Sequence, residues 1–269
     1  MFEQNAGPGT DRRQFLGRAA ASGAGVLAGA SALQSLVPSF AAAKSGGVTK
    51  GDLAILGAAQ IAEALAVTTY SNIISTAPFF RRLAADDQGY LKDARQEEMS
   101  HYLLEKSVTG KPSPFTAFYY PKAMFSDAQT TLNVLVTLED AFIAAYLVGV
   151  RNFSTADLRV TSARIMGIES DHRTLARVVA PGVDKKDGGP IEKVTGIQGK
   201  AESVDPPNNN GYERTLKWTK ISQAVAALTP FADKAAAGKA GFDTGKSYRF
   251  RPFTPKLPQR LGEFHSFVG

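Results

Sequence analysis

Four stretches of this chain alternate apolar and polar residues with helical period, and each has recognisable ends. The first spans about Asp52 to Thr76, with Thr49 and Asp52 in capping-box spacing and Pro78 just beyond it. The second spans about Asp87 to Thr109 and stops at Gly110-Lys111-Pro112. The third begins at Ser126, where Ser126-x-x-Gln129 offers another capping box, and runs to about Arg151. The fourth begins after Ser154 or Thr155 and stops at Pro181-Gly182.

Two of these stretches carry a stripe with alternating spacings of four and three. Leu56, Gln60, Glu63, Val67, Tyr70 and Ile74 form it in the first; Leu132, Val136, Glu139, Ile143, Tyr146 and Val150 form it in the third. Such a stripe is the inward face of a bundle helix. Each has a glutamate at its centre, where a core position calls for an apolar side chain.

The two halves repeat each other. Glu63-Ala-Leu-Ala-Val-Thr-Thr-Tyr70 matches Glu139-Asp-Ala-Phe-Ile-Ala-Ala-Tyr146, with tyrosine seven residues after glutamate in both. A Glu-x-x-His element follows each: Glu98-Met-Ser-His101 and Glu169-Ser-Asp-His172. In an antiparallel hairpin, side chains at one level lie equally far from the turn. The midpoint of Glu139 and Glu169 is residue 154, where the capping signals already put a turn. That of Glu63 and Glu98 falls between Phe80 and Arg81, inside the first connection. The pattern therefore predicts an all-α bundle of two antiparallel pairs. A crossover of about sixteen residues, Gly110 to Phe125, reaches roughly 50 Å extended, enough to run the length of a helix.

After Pro181 the pattern fades. Residues 182–213 are rich in Gly, Pro, Asn and Lys and read as a long loop. Arg214 to about Ala237 reads as a fifth helix, with Trp218, Ile221, Val225 and Leu228 on one face. The last thirty residues carry Tyr248, Phe250, Phe253, Phe264 and Phe267 and read as an irregular tail that wraps the bundle or meets a partner.

Composition narrows this reading. At 269 residues, 43% hydrophobic and 21% charged, the chain is ordinary for a folded protein. The net charge of +6 is spread rather than clustered, so no nucleic-acid footprint emerges. Cysteine is absent, which excludes disulfides, thiolate metal sites and iron–sulfur clusters.

The N-terminus changes the picture more. Arg12-Arg13-Gln14-Phe15-Leu16 precedes a small-residue apolar stretch from Ala19 to Val37, and Ala41-Ala42-Ala43 follows. This resembles a twin-arginine export signal, with Asp11 where Ser or Thr is commoner. Glycines and serines interrupt the stretch and weaken it as a permanent membrane span. The expected division is a signal over 1–43, a bundle over 44–181 and an extension over 182–269. Losing 1–43 removes Arg12, Arg13, Arg18, Glu3 and Asp11 and leaves a charge of +5. No other apolar run is expected to be long enough to cross a membrane. The mature protein is thus expected to be exported, periplasmic or extracellular, and not membrane-spanning, with the twin-arginine machinery as its partner in transit.

The candidate chemistry follows from the repeats. At i and i+3 on a helix, Glu and His project from one face and can reach one metal. Two such elements and two single glutamates can form a cage for two divalent ions: four carboxylates offset their charge, and two imidazoles leave positions open. The predicted ligands are Glu63, Glu98, His101, Glu139, Glu169 and His172. Glu97, four residues before His101, competes with Glu98. Tyr70 and Tyr146 are candidate hydrogen-bonding or redox-active rings beside the metals, and Gln60 a supporting amide. His265, in the tail, is read as unrelated.

On these residues the chain resembles the ferritin-like superfamily, which includes ferritins, rubrerythrins and manganese catalases. It looks most like exported bacterial ferritin-like proteins related to plant desiccation-associated proteins. The resemblance covers roughly residues 50–180. It implies a ferritin-like four-helix bundle, with Glu63 and His101 on one metal, Glu139 and His172 on the other, and Glu98 and Glu169 bridging. It also implies two iron ions, with two manganese ions as the alternative, and oxygen or peroxide as reactants. The functions it leaves open are Fe(II) oxidation or peroxide or oxygen reduction as stress protection, peroxide disproportionation by dimanganese, and a non-catalytic desiccation-protective role. A homodimer is one assembly it allows; a 24-subunit storage cage fits poorly with the leader and long tail.

Overall fold

A computed structural model describes residues 47–179 and 216–256. The leader, its cleavage point near Ala43, the stop at Pro181-Gly182, the 182–213 loop, Phe264, His265 and Phe267 lie outside the described residues.

Helices α1 (Lys50–Thr76) and α2 (Ala85–Thr109) form one hairpin, and α3 (Ala128–Asn152) and α4 (Ala156–Val179) the other. Between α1 and α2 lies a short 3-10 turn at Phe80–Arg82. Local chemistry sets each boundary. Thr49 and Asp52 make the expected reciprocal capping box at the start of α1. Gly110 ends α2 in the left-handed region at φ 69°, a conformation that costs glycine little. Thr155 accepts from the amide of Leu158 at the start of α4.

The start of α3 differs from the expected capping box. Asp127, not Ser126, accepts from the Thr130 amide, while the Ser126 hydroxyl turns back to the Ala123 carbonyl. A carboxylate next to a hydroxyl is the stronger acceptor for an orphan amide.

The stripe residues of α1 and α3 point inward as predicted, and all but Ile74 and Val150 are buried. These helices are buried around most of their circumference. Their outer faces are covered by α5 (Ile221–Ala232), which sets Ala224 and Leu228 against Ala58, Ile61, Ala62 and Ala145. That corrects one expectation: α1 and α3 are both long and apolar enough by length and composition to cross a membrane. Their apolar surface is buried within the bundle instead.

The extension also differs from its reading. The helix expected over 214–237 is two shorter ones, α5 and α6 (Lys234–Lys239), and residues 216–219 are not helical. Gln223 takes the amides of Thr219 and Lys220 and so fixes the start of α5. Asp233 leaves helical geometry at φ −115° and caps α6 through the Ala236 amide.

The crossover is expected only to span the bundle as a connection and the tail to be irregular, yet each contributes a strand. β1 (Ala117–Pro121) pairs antiparallel with β2 (Phe242–Arg249), in a register that sets Phe118 against Tyr248 and Tyr120 against Asp243. Tyr120 packs edge-on against Phe125, Phe231 and Tyr248, and its hydroxyl meets Thr69 Oγ1 on α1 at 3.0 Å. This two-stranded strap ties the crossover to the extension and both to the bundle.

A carboxylate–histidine cluster in the bundle core

The four bundle helices bring all six predicted residues together at one level. Glu63, Glu98, Glu139, Glu169 and His172 are buried, and His101 is nearly so. They form two overlapping groups: Glu63, Glu98, His101 and Glu169; and Glu98, Glu139, Glu169 and His172. Within each group one ligand atom per residue lies within 4.8 Å of the others, so each group could hold a metal ion.

Glu98 and Glu169 belong to both groups. Glu98 sets Oε2 3.7 Å from His101 Nδ1 and Oε1 3.0 Å from His172 Nδ1. Glu169 mirrors it, with Oε1 3.2 Å from His101 Nδ1 and Oε2 3.4 Å from His172 Nδ1. Each carboxylate therefore spans the two groups, one oxygen in each.

A polar atom this deep normally has a hydrogen-bond partner. Eight here have none: Glu63 Oε2, both oxygens of Glu98, both of Glu169, Glu139 Oε2, and Nδ1 of His101 and of His172. Three carboxylate oxygens and one imidazole nitrogen fall to each group. That donor set suits iron, manganese or zinc. The residues present fit bound metal.

Electrostatics shows what the cluster does without cations. Burial, followed by the charges of Glu98 and Glu169, pushes the carboxyls of Glu63 and Glu139 well above the usual range. Burial also opposes charge on Glu98, but His172 and His101 outweigh it and hold that carboxyl well below its usual value. Burial disfavours charged histidine too. Glu63 and its neighbours reverse this for His101, and Glu98 and its neighbours for His172, so both are pushed well above the ordinary imidazole range. Protons thus occupy the places that cations would take.

The two tyrosines cross between halves. Tyr70 on α1 donates to Glu139 Oε1 on α3 at 2.7 Å, and Tyr146 on α3 donates to Glu63 Oε1 on α1. Each leaves the other oxygen of its glutamate facing the cluster. Both phenols are buried beside carboxylates, and burial first, then those charges, pushes them well above the usual range. They serve here as neutral donors that orient the two glutamates.

Glu97, the competitor to Glu98, lies outside both groups. Its Oε2 lies 2.8 Å from His172 Nε2, on the far side of the ring from the cluster. That contact engages Nε2 and leaves Nδ1 as the nitrogen that faces the core, where a cation would replace its proton. Glu97 thus acts on His172 from behind. Gln60 donates to the Lys111 carbonyl at 2.7 Å, tying α1 to the crossover rather than to the cluster.

Three polar side chains near the cluster escaped the sequence reading. Glu105, one turn beyond His101, is buried with its Oε1 2.8 Å from the Tyr146 hydroxyl. Asp140 and Arg173, neighbours of Glu139 and His172, form a buried ion pair at 2.9 Å. A signal existed for Glu105: it continues the 98–101–105 face of α2 at spacings of three and four.

These features define a ferritin-like helical bundle with an acidic and histidine cluster able to bind metal. Residues 51–180 match the family model of the ferritin-like domain, which starts one residue into α1 and ends one residue past α4. No curated protein and no solved structure matches the chain.

Proposed function

We propose that this chain is an exported di-iron carboxylate protein whose two ions are held by Glu63, Glu98, His101, Glu139, Glu169 and His172. Its activity is the oxidation of Fe(II) or the reduction of peroxide or oxygen, as stress protection. The observation that supports this most is the set of eight buried, partnerless donor atoms divided evenly between two overlapping groups. Four carboxylates buried for structure alone would be costly. When bound, two iron ions supply the electrons for reducing oxygen or peroxide.

The chain's own residues do the rest. Glu98 and Glu169 span both positions, Glu63 and Glu139 each serve one, and Tyr70 and Tyr146 hold those two glutamates in orientation. Ile143, one turn beyond Glu139 and fully buried, and the rest of the apolar bundle core keep bulk water out. Export rests on the Arg12-Arg13 leader, a route that carries folded proteins with cofactors in place. A dimanganese centre that disproportionates peroxide uses the same donors.

Elemental analysis of the protein isolated from its native location decides between metals. Turnover of Fe(II) or peroxide, tested in parallel in a Glu98→Ala variant, decides whether the centre is catalytic. A native protein with all six side chains intact and no metal would overturn the proposal, and one loaded with metal but inert would favour the desiccation-protective role.

A further inference from the structure

We infer that the two metal positions are inequivalent: the Glu139–His172 position fills first, the Glu63–His101 position is the exchangeable one, and Glu97 sets the order. This rests on the metal-binding reading above. The six candidate ligands are symmetric across the internal repeat, but the side chains behind them are not. Glu97, the residue before the first Glu-x-x-His element, holds His172 through Nε2 at 2.8 Å. The equivalent residue before the second element is Ile168, which has no group to hold His101. Among the described residues, His101 makes carboxylate contacts only through Nδ1, on its cluster side. His101 is also the more accessible ring, 11% exposed against 3% for His172.

Two further differences point the same way. Asp140 and Arg173 brace α3 against α4 one residue from Glu139 and His172; their repeat equivalents, Ala64 and Tyr102, cannot form an ion pair. On the other side, Tyr70 serves Glu139, whereas the Tyr146 hydroxyl contacts both Glu63 and Glu105, and the equivalent of Glu105 is Ala176. Glu63 shares its phenol with a second acidic side chain, whereas Glu139 has Tyr70 to itself, so Glu63 is the less firmly oriented glutamate. A preorganised imidazole and carboxylate bind a cation more tightly than mobile ones. Glu97 is a positioning residue, since it acts through His172 and touches no metal position.

The test is a calorimetric titration of the metal-free full chain with Mn(II) in the absence of oxygen. Two successive binding events of different affinity are expected. In Glu97→Ala the tighter event weakens about 10–100-fold while the weaker one stays put. Glu97→Gln, which still presents a carbonyl oxygen to the Nε2 proton, recovers part of the loss. Ile168→Glu, which adds the missing carboxylate, tightens the weaker event. Glu97 is 38% exposed, so its two variants keep the fold, and a circular dichroism melt of all the metal-free forms, Ile168→Glu included, checks that. Two equal events in the unaltered chain, or an equal loss at both events in Glu97→Ala, overturns the inference and leaves the metal-binding reading standing. No binding at all overturns that reading itself.

Discussion

Glu98 and Glu169 face each other across the bundle as mirror images, each with one oxygen toward His101 and the other toward His172. Their loss should therefore differ from that of Glu63 or Glu139, which each serve one group. On the proposed two-ion centre, Glu98→Gln is expected to weaken both ions, and Glu139→Gln only the ion beside His172. Metal content per chain after gel filtration reads the difference. Loss of one ion in both variants would show that Glu98 is not shared.

Much of this cluster was legible because ligand geometry is local. The three-residue spacing of Glu98 and His101 is fixed by one helix, and equal distance from a turn sets the height of Glu63 against Glu98. The strap was not legible for the opposite reason. Phe118 meets Tyr248 across some 130 residues of chain, so no hairpin signal joins them. Glu98 rather than Glu97 joins the cluster, as the three-residue spacing favours, but the Glu97 contact was not legible because its partner, His172, sits on another helix. Glu105 lay on a readable face but had no counterpart in the second half to draw notice, since Ala176 stands there.

The protons stored in the metal-free cluster set the pH dependence of metal binding. Glu63 and Glu139 are raised well above the usual carboxyl range, and His101 and His172 well above the usual imidazole range. A cation must displace those protons, so binding releases protons and affinity rises with pH. Because the histidines are raised, the rise should continue above about pH 6.5, where an ordinary imidazole is already neutral. Calorimetry at several pH values, in buffers of different ionisation heat, counts the protons. An affinity that is flat or falls between about pH 6 and 8 would contradict the proton-filled cluster.

Glu105 exchanges stability for its place beside Tyr146. Burial pushes its carboxyl well above the usual range, and its Oε2 has no partner. Replacing it with leucine removes a buried polar group while Tyr146 keeps Glu63. Glu105→Leu is expected to raise the stability of the metal-free protein by about 1–3 kcal/mol, the cost of one unsatisfied buried group. Urea unfolding of the metal-free forms measures this. A destabilised variant would mean that Glu105 contributes packing or hydrogen bonding beyond the Tyr146 contact.

Asp52, at the start of α1, joins the first hairpin to the α3–α4 turn of the second. Its carboxylate accepts from the Thr49 amide and hydroxyl, and from the amide and hydroxyl of Ser154 in the α3–α4 turn. Burial raises its pKa, but the bonds from Ser154 and Thr49 outweigh burial and hold it below the usual value. A carboxyl lowered in the folded state contributes stability that is present above its unfolded pKa and lost as pH falls through the folded one. Asp52→Ala should therefore cost about 1–3 kcal/mol at neutral pH, from the lost cap and the orphaned Ser154 amide. The ionic part of that cost should shrink as the pH falls below about 3.9 and the wild-type carboxylate itself takes up a proton. Unfolding of both proteins at neutral and acid pH gives the two differences, and a gap that widens in acid would reverse the assigned sign.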